Sequence, residues 1–288
     1  MAIAEKNTTQ KSAIDTKKII LWLGIILLLI FVLLPILWQI LTSFKVNDEI
    51  QAVPNVYIPS EITLKHYIEL FQRKPFIFYI LNSALVSIVS TVLCLAIGSP
   101  AAYALARLKL PGEQIILGFV LIITLFPYVL LFLGLLEIIR YVGLGNNYLA
   151  LIIPYTAINL PLTILVMRSF FQQLPKDLED AAKIDGYKTI PMLLNIVLPM
   201  TVPALVTTGI LTFIFAWNEY IFALTFITRE TMKTIPVATA QLGGATVFEI
   251  PYGAIAAATI LGTIPLVLLV LFFQRRIVQG LTAGAVKG

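Results

Sequence analysis

The residues of this chain that could do chemistry are few, and their grouping suits gripping another surface more than turning over a substrate. One histidine, His66, and one cysteine, Cys94, stand alone among 288 residues. That argues against a Ser-His-Asp triad, a metal site, an internal disulfide and any CxxC centre. No G-x-x-x-x-G-K-[ST] stretch occurs, so no phosphate-cradling loop is expected here. The densest ionisable set is Asp177, Glu179, Asp180 and Asp185, interleaved with Lys176, Lys183 and Lys188. That mixture reads as a solvated helix facing a partner, with no paired catalytic carboxylates. Leu178, Ala181, Ala182 and Asp185 fall at i, i+3, i+4 and i+7 and share one helical face. Ala181 and Ala182 are small enough to let another surface approach. Ala182 and Asp180 are expected to face that partner, and Glu179 the more solvated side. Gly186 should end the helix in a left-handed turn. Pro191 and Pro199 then reset the chain.

A second group lies within apolar sequence. Glu219 is flanked by Trp217, Asn218 and Tyr220. An ionisable residue at membrane depth is costly and faces a cavity or a polar partner. Flat aromatic faces with polar edges suit the C–H face and hydroxyls of a sugar. The same residues also suit the aromatic belt at a membrane interface. Asn82, Tyr128 and Asn159 add polar groups inside apolar runs. These seven are the candidates for lining a substrate pathway, although such residues also serve as hydrogen-bond links between helices.

The elements that must position both groups are membrane helices. The chain is 59% hydrophobic and 12% charged, where a soluble domain carries about 25% charged residues. Its mean hydropathy is +0.95. A crossing needs about 20 apolar residues, and unpaired backbone is not tolerated in lipid, so long apolar runs must be helices. An all-α, polytopic integral membrane protein follows. Six transmembrane helices are predicted at residues 19–44, 75–106, 114–136, 141–167, 189–218 and 250–274, the fifth continuing to about residue 227. The organisation is a tail over 1–18, a first helix and external segment over 19–74, and a five-helix core over 75–274. That core contains the polar loop 171–191, and a second tail covers 275–288. A short helix is expected near residues 64–71. Lys and Arg are denser on the side holding both termini and the 171–191 loop, 13 against 7. This places that side in the cytoplasm.

The polar loop also carries a resemblance. Asp180-Ala181-Ala182, three residues, Gly186, nine residues, then Ile196-Val197-Leu198-Pro199 resembles the E-A-A…G…I-x-L-P signature of ABC importer membrane subunits. Asp180, Ala181, Ala182 and Gly186 match its first half, and Ile196, Leu198 and Pro199 its second. Asp180 replaces the usual Glu, one methylene shorter. The stretch from Phe215 to Tyr220 is similar to the W-N-E-[FY] segment of carbohydrate importers of the maltose type. The chain end, Phe273-Gln274-Arg275-Arg276 to Gly288, is similar to that of their second permease subunit. The resemblance implies a type I importer permease with no catalysis of its own. Its 180–186 helix would be the coupling helix, seated in an ATPase cleft. It further implies two ATPase subunits holding ATP and Mg, and no cofactor on this chain. A second, different permease subunit, an external sugar-binding protein, surrounding lipid and no nucleic acid complete the expected partners, in a bacterial or archaeal cytoplasmic membrane. A polyamine, phosphate or peptide importer, or an ion-driven secondary transporter, are the competing readings.

Overall fold

The computed structural model describes the backbone of residues 16–243 and 250–285, and the side chains of 17–243 and 250–275. Most of the expected 1–18 tail and the last three residues lie outside it, as do the side chains beyond Arg275. In chain order the helices are α1 (Thr16–Phe44), α2 (Asn47–Ile50), α3 (Lys65–Arg73), α4 (Phe76–Arg107), α5 (Glu113–Leu125) and α6 (Phe132–Tyr141). They continue with α7 (Leu149–Gln173), α8 (Lys176–Ile184), α9 (Thr189–Met192), α10 (Leu198–Met200) and α11 (Val202–Asn218). The series ends with α12 (Ile221–Phe226), α13 (Ile235–Ala240) and α14 (Tyr252–Ala285). No strand is present among the described residues.

Four helices, α1, α4, α7 and α14, are long and apolar enough to cross a membrane unbroken. Two bent pairs bring the number to as many as six, if each pair counts as one crossing. The third predicted span is not continuous: Glu113–Leu125 and Tyr128–Tyr141 meet at 88°. Phe126 there is extended, with ψ 132°, because the ring of Pro127 disfavours helical backbone at the residue before it. The fifth predicted span breaks at Thr201, where its two parts meet at 82°. It breaks again at Glu219, whose ψ of 131° separates α11 from α12. The fourth starts at Leu149, eight residues later than expected, because Gly143 takes φ +73° and turns the chain after α6. Charge-free length finds a crossing but cannot see where backbone geometry interrupts it.

Helix α4 is the central post, packed against α7 and α11, while α14 packs against α1 and α11. The α4–α7 contact is close because Gly98 faces Thr163; a Cβ on Gly98 would lie 2.6 Å from Thr163 Cγ2. Small residues allow such approaches between membrane helices. The expected outcome of Gly98→Val is an overpacked seam costing about 1–3 kcal/mol, read as a lower melting temperature of the purified protein. Adding Thr163→Ser, which removes Cγ2, should restore most of the loss; no recovery would mean the seam is not what Gly98 keeps open.

Candidate functional site: the α8 loop and the buried polar groups of the core

Helix α8 lies between Pro175 and a left-handed Gly186 at φ +84°. The turn is closed by Tyr187 N–H on the Ala182 carbonyl, 2.9 Å, and Gly186 N–H on the Lys183 carbonyl, 3.0 Å. This crossed pair defines a Schellman turn, which needs φ > 0 at its C′ position, so glycine is the residue that fits without strain. The expected stop is therefore where the spacing put it.

On α8 the structure differs from the sequence expectation at Glu179 and Ala182, and leaves Asp180, Ala181 and Asp185 on the open face. Glu179 and Ala182 point inward, and Asp180, Ala181, Lys183, Ile184 and Asp185 point out. Ala182 is buried in a core with Tyr103, Met167, Phe171, Met192 and Val197. Ile196 and Leu198 pack against the same core, while Pro199 is exposed. Asp180 pairs with Lys183 at 3.1 Å, both side chains being more than half exposed. Glu179 forms an ion pair with Arg107 at the end of α4, Nε to Oε1 2.9 Å, the two side chains only 10% and 6% exposed. Arg107 also donates to the Leu174 carbonyl, and the Tyr103 hydroxyl donates to Glu179 Oε2 at 3.4 Å. The motif spacing hid this, because the partner Arg107 lies 72 residues earlier and no local pattern pairs them.

The seven candidate pathway residues separate into two groups. Tyr128 and Asn159 line a mostly apolar cavity of about 490 Å³ beside the α5–α6 break, with Thr124, Pro154 and Phe215. The others have partners within the chain or lie at its surface. Trp217 is buried, stacked on Phe213, and donates its indole N–H to the Gly262 carbonyl at 3.0 Å. Asn218 is exposed and returns its amide to the Ile214 carbonyl, and Tyr220 lies at the surface. Glu219 is buried at the α11–α12 break. Its carboxylate accepts from Phe222 N–H at 2.9 Å, Ala223 N–H at 3.2 Å and the Tyr155 hydroxyl. From the position before the N-cap Tyr220 it satisfies donors of α12 that no carbonyl of that helix can reach. Tyr155, which contacts Phe215 edge-on, was not signalled by the sequence because a tyrosine in an apolar run has no pattern of its own.

Asn82 is a clamp at the opposite end of α4 from Arg107. Its amide donates to the carbonyls of Thr231 and Lys233, both at 2.9 Å, and it accepts from Tyr148 at 2.7 Å. Next to it, Ser83 Oγ accepts from Ile235 N–H at 2.9 Å. The Tyr79 hydroxyl donates to Glu230 at 2.6 Å. A Lys233 hydrogen bond, then that of Tyr79, hold the Glu230 carboxyl below the ordinary carboxylate range.

Two outcomes follow from this geometry. Breaking a buried ion pair by removing one partner costs about 3–5 kcal/mol. Glu179→Gln should therefore lower the melting temperature far more than Asp180→Asn, whose exposed pair is worth about 0–1 kcal/mol. The double variant Arg107→Met, Glu179→Met should recover stability; equal effects of the single changes would remove the inward assignment of Glu179. Glu230 has a lowered folded value, so its contribution is complete above the ordinary carboxylate range and is lost as pH falls through that lowered value. Acid melting curves of wild type and Glu230→Gln should converge at the lowest pH and separate towards neutrality; parallel curves would contradict this.

Comparison with known proteins agrees with this architecture. Residues 94–283 match the family model of the binding-protein-dependent transport system inner membrane component. The chain is 40% identical over 262 residues, 91% of each chain, to a sulfoquinovosyl glycerol transport system permease protein of Agrobacterium fabrum. It is 42% identical over 258 residues, 90% of this chain and 93% of the relative, to a trehalose transport system permease protein of Mycobacterium tuberculosis. It is 42% identical over 274 residues to the trehalose/maltose permease protein of Thermococcus litoralis, covering 94% and 98% of the two chains. In fold it is similar to a chain of a bacterial ABC transporter that imports alginate, with a TM-score of 0.75, 23% identity, and 91% and 97% of the two chains covered. With four to six crossings and a family match over most of its length, this chain belongs to the inner-membrane components of binding-protein-dependent transport systems.

Proposed function

We propose that this permease is one membrane subunit of an ATP-driven importer of sugars or glycosides. The observation that carries the reading is the breadth of the identity: 40–42% over about nine-tenths of three permeases named for glycosides and disaccharides. An alginate transporter of similar fold was solved with its pentasaccharide-bound periplasmic protein, which supports an external binding protein as the donor of substrate here. A second, different permease chain completes the pathway. ATP and Mg sit on two separate ATPase subunits, and this chain holds no cofactor. Both termini and α8 face the cytoplasm, following the excess of Lys and Arg on that side.

In this reading the outer face of α8, with Asp180, Ala181, Ile184 and Asp185, seats in the ATPase. Ile184 is 87% exposed in the single chain, although it sits in a water-facing loop. Burying such a side chain against a partner gains about 1.5–3 kcal/mol. Glu179 and Arg107 would then carry ATPase movement to α4, because a buried pair resists separation. The pathway follows the cavity at Tyr128 and Asn159, and Asn82, Trp217 and Glu219 hold its frame.

The test is reconstitution of the complex with its binding protein and measurement of sugar-stimulated ATPase and uptake. Stimulation by trehalose or a related glycoside is expected. Stimulation only by a polyamine, phosphate or peptide would move the substrate class, and uptake independent of ATP would remove the reading altogether. Ile184→Asp and Gly186→Asp should leave the permease in the membrane, weaken ATPase association about 10- to 100-fold and abolish uptake. Normal uptake by both would remove α8 as the docking element.

A further inference from the structure

Helix α3 has three faces, and the folded chain covers one of them. His66, Tyr67 and Leu70 turn inward, His66 and Leu70 being buried. Lys65, Glu69, Gln72 and Arg73 form a polar face, where Glu69 and Arg73 pair at 3.2 Å. Leu64, just before the helix, Ile68 and Phe71 form the third face, spaced i, i+4 and i+7. They are 57%, 52% and 47% exposed. At about 3.6 residues per turn the three faces stand roughly 120° apart. A helix lying between a core and water needs only two faces, one apolar and one polar. Single exposed apolar side chains are ordinary, but an aligned stripe marks a surface that something covers.

The level of α3 in the fold is set by the ends of two helices that are long and apolar enough to cross a membrane. The Tyr67 hydroxyl is hydrogen-bonded to Ser43 at 2.8 Å, and its ring lies 5.3 Å from that of Phe44, the last residue of α1. Phe71 meets Phe76, the first residue of α4, edge-on with ring centres 5.6 Å apart. Helix α4, with 32 residues, is about as long as a bilayer is thick with its headgroups. Its first turn therefore falls at headgroup level, and α3 with it. Beyond Phe76 the exposed surface continues apolar along α4 through Ile77, Phe78 and Leu81. Trp38 and Tyr57, both exposed, meet edge-on at 5.9 Å near the same end of α1. Tryptophan and tyrosine collect at membrane–water boundaries.

We propose that α3 is an interfacial helix, with Leu64, Ile68 and Phe71 set into the lipid leaflet at the Phe44 end of α1 and with Lys65, Glu69, Gln72 and Arg73 in water. Lipid accounts for the whole arrangement. At one depth it supplies apolar surface to one side of the helix and water to the other. It needs no partner shaped to three separate side chains, and it already meets the surface of α4 into which the stripe runs. The inward face then ties that leaflet to the end of α1 through Tyr67 and to the start of α4 through Phe71. The helix would hold both crossings at a fixed depth whatever solute is carried, so the inference does not depend on the substrate proposed above.

The test uses the complex as purified from its membrane and placed in lipid nanodiscs. Nitroxide spin labels are attached to single cysteines in the variants Ile68→Cys, Phe71→Cys, Lys65→Cys and Gln72→Cys. The chain's own Cys94 is buried and stays unlabelled. Power saturation then compares collisions with oxygen, which concentrates in lipid, and with a water-soluble nickel chelate. Oxygen should dominate at 68 and 71, and the chelate at 65 and 72. Two labels on each face keep the comparison readable if one variant fails to assemble. Chelate dominating at all four positions would overturn the proposal, because the stripe would then face water. Protection of 68 and 71 from both reagents would also overturn it, marking a protein partner such as a second permease. So would chelate access at 68 and 71 that is lost when an external binding protein is added, which would mark a docking surface. None of these readings uses sugar or ATP, so this proposal and the transport reading can fail separately.

Discussion

A lipid bilayer offers the backbone no hydrogen-bond partner, and the helix breaks at Pro127 and Glu219 are both answered within that constraint. At Pro127 the break costs no donor, because proline has none to lose. At Glu219 the chain leaves helical geometry and exposes the first N–H groups of α12. The side chain of the same residue turns back and accepts two of them, while Tyr155 supplies a third hydrogen bond. A carboxylate at this position is thus explained by backbone accounting before any substrate is invoked. Ser83 answers the first N–H of α13 in the same way.

These repairs are concentrated on α4, which is held at both ends. Its first turns carry Tyr79, Asn82 and Ser83, which all bond to the 230–235 segment, Asn82 accepting from Tyr148 as well. Its last turn carries Tyr103 and Arg107, which hold α8 through Glu179. Between them Gly98 lets the helix lie directly on α7. A closely packed post cannot bend gradually, since well-packed interiors transmit displacement. In the proposed reading, movement imposed on α8 would reach α4 through the Glu179–Arg107 pair. The strength of this link lies in burial: the same ion pair placed in water, like Asp180 with Lys183, would hold almost nothing.

The amount legible in the sequence differs from one element to the next, for physical reasons. The left-handed stop at Gly186 was legible because a Schellman turn is a local event, completed within six residues. The long crossings α1, α4 and α14 were legible because hydropathy over about 20 residues has no other solution. The inward face of α8 was not. Its periodicity marks a face but not which neighbour covers it, and Glu179 looked solvated because its counter-ion is far away in sequence. Asn82 and Trp217 likewise read as polar groups available to a ligand, and only the folded chain shows the carbonyls that occupy them.

The sequence by itself therefore determined the solvent of this protein, the class of its elements and the motif its polar loop carries. All of these depend on composition, local backbone preference and the cost of exposing polar groups to lipid. Tertiary structure alone decided which carboxylate is buried, and which polar side chains hold the frame and which line the cavity. Those depend on pairings between residues 60 to 150 positions apart, such as Arg107 with Glu179 or Asn82 with Lys233. In a chain this apolar a single unpaired polar group is expensive enough to determine how the helices around it must pack.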